Sequence, residues 1–151
     1  MLQRIQSVYL LLVSVLMAVA AISPLAIFKD AQGNLLEMRS LGVFLESQKV
    51  LATWGVVSIM GLITLLAFIC IFLYKNRKKQ IVICSVNTVL ILFLYVTIAV
   101  YSCSGQGSAN IDFQTVQYGV VLPFISLIFN VLAQLKIKSD EKLVRSLDRI
   151  R

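Results

Sequence analysis

Asn87 and Asn130 are the residues of this chain best equipped to do more than fill space. Each stands inside a long apolar stretch at a comparable distance from its end. Thr88 follows the first, and Ser126 lies one helical turn before the second. Ser85 and Gln134 are nearby in sequence. A side-chain amide offers two donors and an acceptor, and in an apolar interior it costs free energy unless partnered. Two chemistries fit such residues. One is hydrogen bonding between helices, at roughly 0.6 kcal/mol per bond and at most about 2. The other is a polar pocket for a lipid headgroup or a small ligand. The first is the commoner use, so Asn87, Asn130, Ser126 and Thr88 are expected to form an interhelical polar cluster, with the pocket as the alternative.

The remaining chemical inventory is thin. The stretches Val8–Phe28, Ala52–Tyr74, Ile81–Tyr101 and Val116–Leu135 contain no Lys, Arg, Asp or Glu, and the chain has no His. Proton relays, metal ligation and activated nucleophiles within them lack their usual groups. Cys70, Cys84 and Cys103 show no CxxC or zinc-ligand spacing. Cys70 and Cys84 are expected at similar depth on neighbouring stretches, as small packing residues. Cys103 belongs at the opposite end, as an inert thiol. Asp112 is the lone carboxylate of its loop and reads as solvated. No phosphate-cradling loop, nucleophile elbow or metal motif occurs. The expectation is a non-enzyme with no cofactor and no metal.

The elements that must position these residues follow from length. Each apolar stretch is close to the roughly 20 residues that a helix needs to cross a hydrocarbon core of about 30 Å. With 59% hydrophobic residues and a mean hydropathy of +0.90, the 151-residue chain departs from soluble composition. The predicted architecture is an all-α membrane protein, a four-helix transmembrane bundle with helices near 8–28, 52–74, 81–101 and 116–135. Residues 1–135 would form the membrane domain and 136–151 a cytoplasmic basic tail. At the start, Arg4, the run Val8–Met17 and Ala18-Val19-Ala20 imitate a signal peptide. The apolar stretch continues to Phe28, which favours an uncleaved first helix with Pro24 at its outer end. Gly55, Ser58, Gly61 and Thr64 recur every three residues and are expected to pack within the bundle. Trp54, Tyr74, Tyr101 and Tyr118 fall where an aromatic belt would lie. Pro123 frees a backbone carbonyl inside the fourth helix.

Charge orients the bundle. Of the 14 basic residues, 11 fall on one side: Arg4, the turn Lys75–Lys79 and the tail. Lys29, Arg39 and Lys49 are left for the other side. The positive-inside bias then places both termini and the Lys75–Gln80 turn in the cytoplasm. Arg4, Lys75, Arg77, Lys78 and Lys79 are candidates for contact with anionic phospholipid, at about 1 kcal/mol each. The net charge of +7 is explained this way and is no nucleic-acid signature.

The loops on the other side have their own pattern. Ala31-Gln32-Gly33-Asn34 separates two half-apolar runs and reads as a hairpin turn. Leu41–Leu45 continues that strand or lies on the membrane surface. Ser102–Asn110 is rich in Gly and Ser and reads as flexible. Ile111–Tyr118 alternates with period two, a strand signal. The two loops are therefore expected to pair into a small extracytoplasmic β-sheet cap, as in claudin-like four-helix proteins. In the tail, Ser139 can cap a short amphipathic helix with Asp140 and Glu141 in its first turn. Leu143, Val144, Leu147 and Ile150 would form its apolar stripe along the inner leaflet.

The opening Met1-Leu2-Gln3-Arg4-Ile5-Gln6-Ser7-Val8-Tyr9-Leu10 resembles the start of a small four-span family of Bacteroidota known as a domain of unknown function. The resemblance implies a bacterial inner-membrane location and carries over no catalytic or binding residue. Gln3, Arg4 and Gln6 are more polar than orientation requires and are expected to bond to the tail or to lipid phosphates. Together these readings predict a non-enzymatic integral membrane protein, acting as a subunit, scaffold or assembly factor. A protein partner would bind through the exterior loops or the tail. The alternative is a lipid or small-molecule binder or carrier using the Asn87–Asn130 region.

Overall fold

The computed structural model describes residues 2–29, 33–45, 48–74, 76–109 and 112–148; the side chains of 2–4, 48–51, 104–112 and 145–148 lie outside the description. Four helices, α1 (Leu2–Ile22), α2 (Trp54–Phe72), α3 (Arg77–Ala109) and α4 (Tyr118–Asp148), are long and apolar enough to cross a membrane. They form a ring in which α1 packs on α2 and α4, and α3 packs on the same two. Five strands accompany them: β1 (Ala26–Lys29), β2 (Leu35–Arg39), β3 (Gly42–Leu45), β4 (Gln48–Ala52) and β5 (Asp112–Val116). They make one antiparallel sheet in the order β4-β3-β2-β1-β5.

The expected pairing of the two loops is therefore present. β5, from the second loop, joins β1 of the first with Ala26 opposite Val116 and Lys29 opposite Asp112. Gly33 carries a positive φ of 88° between β1 and β2, a conformation that costs glycine little. Of the run Leu41–Leu45, Gly42–Leu45 continues the sheet as β3. The sheet follows the pleat: Ala26, Phe28, Leu36 and Met38 are buried in the same apolar cluster as Met17, Ala20, Val56 and Ile98. Polar groups stitch sheet to bundle. Leu25 N–H donates to Met38 O at 2.7 Å, Gln117 N–H to Leu25 O at 2.9 Å and Ser40 Oγ to Ala21 O at 2.5 Å. The fold is thus helices plus a five-stranded sheet rather than all-α.

Helix boundaries depart from the hydropathy pattern in instructive ways. The first stretch does not continue as helix to Phe28. Ser23-Pro24 ends α1, because Pro lacks the donor and disfavours helical φ/ψ before it, and the apolar residues beyond it become β1. Ser102–Ala109, expected to be a loop, extends α3. Extending an existing helix adds a hydrogen bond for each residue fixed, which offsets the low propensity of Gly and Ser. The tail is not a separate helix either. α4 runs unbroken through Leu135 to Asp148, so Ser139 is an interior residue and not a cap. Ile137 and Asp140 prolong its buried stripe, whereas Leu143 and Val144 are exposed. Leu147 and Ile150 of the expected stripe lie outside the described side chains.

The small residues of α2 divide between two roles. Gly55 meets Tyr101 and Thr97 of α3 as expected, but Ser58 and Gly61 face outward and nothing approaches the Cβ position of Gly61. Gly61 instead lines a shallow apolar groove of about 510 Å³ with Ser14, Ala18, Thr64 and Phe68. Around the girth the pattern is inverted relative to a soluble bundle. Leu11, Val15, Leu65, Phe68, Val89, Phe93, Phe124 and Ile128 are all about half exposed.

Candidate functional site

Two apolar clusters fill the interior. One joins the sheet to Val13, Met17, Ile63, Ala67 and Ile91, and the other holds Leu10, Cys70, Cys84, Ala133 and Ile137. The expected polar residues lie where these clusters meet. In α3, Asn87 falls between Cys84 and Ile91 on the buried stripe; in α4, Asn130 falls between Ser126 and Ala133. Helical spacing of three and four residues gathers them on the inner faces.

Asn130 is the centre of this layer. Its Nδ2 donates to Cys84 O and to Thr88 Oγ1, both at 2.9 Å, and so ties α4 to α3. Thr88 in turn donates to Cys84 O at 3.0 Å within its own helix. Ser126 is fully buried and donates to Pro123 O at 2.9 Å. Gln134 Nε2 reaches Ser85 Oγ at 2.6 Å on the same seam, and near the sheet Tyr95 donates to Val120 O at 2.7 Å. The structure brings Asn130 and Thr88 into direct contact. Asn87 shares their level, but among the described residues neither of its amide atoms has a partner.

The end of the bundle away from the sheet is the second region. The turn between α2 and α3 brings Cys70 and Cys84 together, with their Sγ atoms 3.8 Å apart, at the similar depth expected. Gln80 Nε2 donates to Cys70 O at 2.9 Å across the same turn. Gln6 of α1 donates to the buried carboxylate of Asp140 in α4, a bond between opening segment and tail of the kind expected. Arg77 Nη1 donates to Asp140 O at 3.3 Å. Beside them a cleft of about 650 Å³ is lined by Tyr74, Asn76, Arg77, Lys78, Lys79, Glu141 and Val144. Three cations thus stand in the first turn of α3, which holds no acidic residue. The helix dipole is positive there as well, and Glu141 is the carboxylate in the same lining. The Arg4 side chain and Lys75 lie outside the described residues.

A family model bears on this arrangement. The domain of unknown function DUF4293 matches residues 2–150. The chain belongs to that family. No curated protein matches it. For this DUF4293 chain the functional reading therefore rests on the geometry.

Sequence reasoning missed Gln80 and Tyr95, and it placed Asp140 in the first turn of a separate tail helix in place of a bond to α1. Gln80 was legible only as part of a polar turn, and Tyr95 as one aromatic among apolar neighbours. The available signal for Asp140 was its helical spacing from Ile137 and Ala133, which places it on the buried face of a helix that continues.

Proposed function

We propose that this protein is a non-enzymatic, multi-pass protein of a bacterial inner membrane that serves as a subunit, scaffold or assembly factor. The girdle of exposed Leu, Val, Ile and Phe side chains around all four helices supports the membrane reading, because such a surface is tolerated in hydrocarbon and not in water. The bias of basic residues sets the termini and the α2–α3 turn in the cytoplasm and the sheet outside. Anionic phospholipid headgroups are then the natural occupants of the cleft lined by Arg77, Lys78 and Lys79.

The observation that carries the partner role is the sheet. Both connections on that side are spent on one five-stranded platform, and its end of the molecule presents Leu35, Leu41, Trp54, Phe113, Val116 and Tyr118 as exposed apolar side chains. A platform of this kind suits a protein neighbour that sits on the membrane surface.

Native mass spectrometry of the protein, extracted from its own membrane in mild detergent, tests the role. A stoichiometric second polypeptide is expected, and its loss on Phe113→Asp substitution places the contact on the sheet. A lone chain that retains one defined small molecule would overturn the partner role in favour of a binder. Topology is tested separately with a membrane-impermeant maleimide. Cys103 is exposed near the sheet end, whereas Cys70 and Cys84 are buried, so labelling in intact cells is expected at Cys103 alone.

A further inference from the structure

The sheet stops at β5. This strand stands last in the order β4-β3-β2-β1-β5, with β1 as its one strand neighbour among the described residues. Backbone N–H and C=O groups alternate in direction along a strand, so half of those of β5 point away from the sheet. Its side chains are equally uncovered: Phe113, Gln114, Thr115 and Val116 are all exposed. The strand is nevertheless held in place. Gln117 N–H donates to Leu25 O at 2.9 Å where the chain enters α4, and the ring of Phe113 meets that of Phe28 edge-on with centroids 5.8 Å apart.

The register shows what the open edge lacks. Ala26 lies opposite Val116 and Phe28 opposite Phe113. Residues directly opposite share a face, so Phe113 and Val116 project from the face that carries Ala26 and Phe28 into the apolar cluster. Gln114 is the extra residue of the bulge between these pairs, and it lets two residues three apart share that face. One strand inward, Ala26 and Phe28 are each 3% exposed, whereas Phe113 is 43% and Val116 57% exposed. The buried layer of the sheet thus runs on into β5 as apolar residues, with no strand beyond to finish it. The opposite edge differs. β4 also has a bulge against its neighbour, but it carries Lys49 within the strand, and a lysine on an edge discourages strand addition. The one charge of β5 is its first residue, Asp112.

We infer that β5 receives an extended segment of a partner polypeptide as a sixth strand of the sheet. The open backbone edge supplies the hydrogen bonds, and Phe113 and Val116 receive apolar residues at alternate positions of the segment. The segment is uncharged where it faces Phe113–Val116, because an unpaired charge there would be desolvated against apolar side chains. β5 is already ordered against β1, so the cost of ordering falls on the incoming segment alone. This rests on the partner role proposed above and specifies how the partner is held: by main-chain pairing along one edge and not by general burial of the exposed apolar side chains.

The test compares the complex extracted from its own membrane in mild detergent with the chain produced alone, by amide hydrogen exchange resolved residue by residue over Phe113–Val116. Alternate amides of this stretch are expected to exchange roughly tenfold or more slowly in the complex, while those bonded to β1 are protected in both samples. Rates unchanged or slowed uniformly, in a complex whose second polypeptide native mass spectrometry still records, would overturn strand addition and leave the partner role standing. Absence of any second polypeptide would overturn both, and a dimer of this chain or lipid alone on β5 would overturn the assignment to another polypeptide. Substitution gives a second reading. Gln114→Lys puts a charge on the open edge and is expected to release the partner without lowering the unfolding midpoint. Leu35→Lys, at an exposed position of β2, is expected to retain it. Equal release by both would mean general apolar contact, and retention by Gln114→Lys would mean an unused edge; either result sinks the inference.

Discussion

Gly119 rests directly on the carbonyl of Pro24. Its N–H donates to Pro24 O at 3.2 Å, and a Cβ at this position would overlap that oxygen while meeting Pro24 C at 3.0 Å and Ser23 Cβ at 3.2 Å. The first turn of α4 is thereby fastened to the end of α1, where the chain leaves the bundle to enter the sheet. Gly119→Ala cannot be accommodated by moving a flexible side chain, because the obstacle is backbone. A loss of about 1–3 kcal/mol is expected, the range of an overpacked site. Gly61→Ala is the matched control, since nothing lies within 4 Å of its Cβ position. There the gain in helix propensity, up to about 1 kcal/mol, is expected instead. Unfolding of both variants in mixed micelles measures the pair, and equal effects of one sign would contradict the assigned contacts.

How much of this was legible beforehand depended on the range of the interaction. The apolar stretches declared four helices because composition and length alone decide that question. That the two loops pair was legible because both alternate with period two. Boundaries were not, since the run Leu25–Phe28 is as apolar as the helix before it. There Pro24 and the partner strand decide, and hydropathy carries no record of either. The buried role of Asp140 was hidden for a related reason. A short polar run beginning Ser139-Asp140-Glu141 has every local mark of a helix start, and only the contact with Gln6, 134 positions away, shows the helix passing through it. At the amide layer, residue types were readable while partners were not: nothing in the sequence distinguishes Asn130, with two bonds, from Asn87, with no side-chain bond among the described residues.

That distinction predicts a coupling. Asn130→Leu removes both bonds that join α4 to α3 at this level, and interhelical bonds of this class contribute about 0.6 kcal/mol, reaching at most about 2. A loss of roughly 1–2 kcal/mol is expected on that basis. Thr88→Val removes one of the two acceptors. In a double-mutant cycle the two substitutions are therefore expected to be non-additive, with a coupling of about 0.5 kcal/mol or more. Strict additivity would mean that the Asn130–Thr88 bond does not form.

The thiols of Cys70 and Cys84 offer a covalent measure of the α2–α3 turn. They lie 3.8 Å apart and are buried, so a membrane-permeant oxidant is expected to close an intrachain bond with little backbone movement. Cys103, near the other end of α3, is expected to take no part. Proteolysis at a site engineered into the turn at Asn76 then separates two fragments on a reducing gel and leaves them joined on a non-reducing one. Fragments that separate under both conditions would place the helices in a different register.

Whether residues after Leu135 belong to the bundle or lie apart from it is decided by two side chains of one helix. Ile137 is fully buried against Leu10, Cys70, Cys84 and Ala133, whereas Leu143 is 55% exposed. If α4 continues as described, Ile137→Ala opens a cavity in the core and costs about 2–5 kcal/mol, while Leu143→Ala stays within about 0.5 kcal/mol. A surface helix lying on the leaflet reverses that order, because its outward apolar stripe would hold it to lipid and Ile137 would touch little. Gln6→Leu sharpens the comparison. It removes the donor to buried Asp140, so a loss of about 1–3 kcal/mol is expected. Replacing both Gln6 and Asp140 with leucine should recover part of that loss, since an apolar pair of similar shape leaves no polar group unpaired. Unfolding midpoints of the three single variants and the double, measured in one detergent, provide the ranking. Destabilisation by Leu143→Ala exceeding that by Ile137→Ala would detach the tail from the bundle.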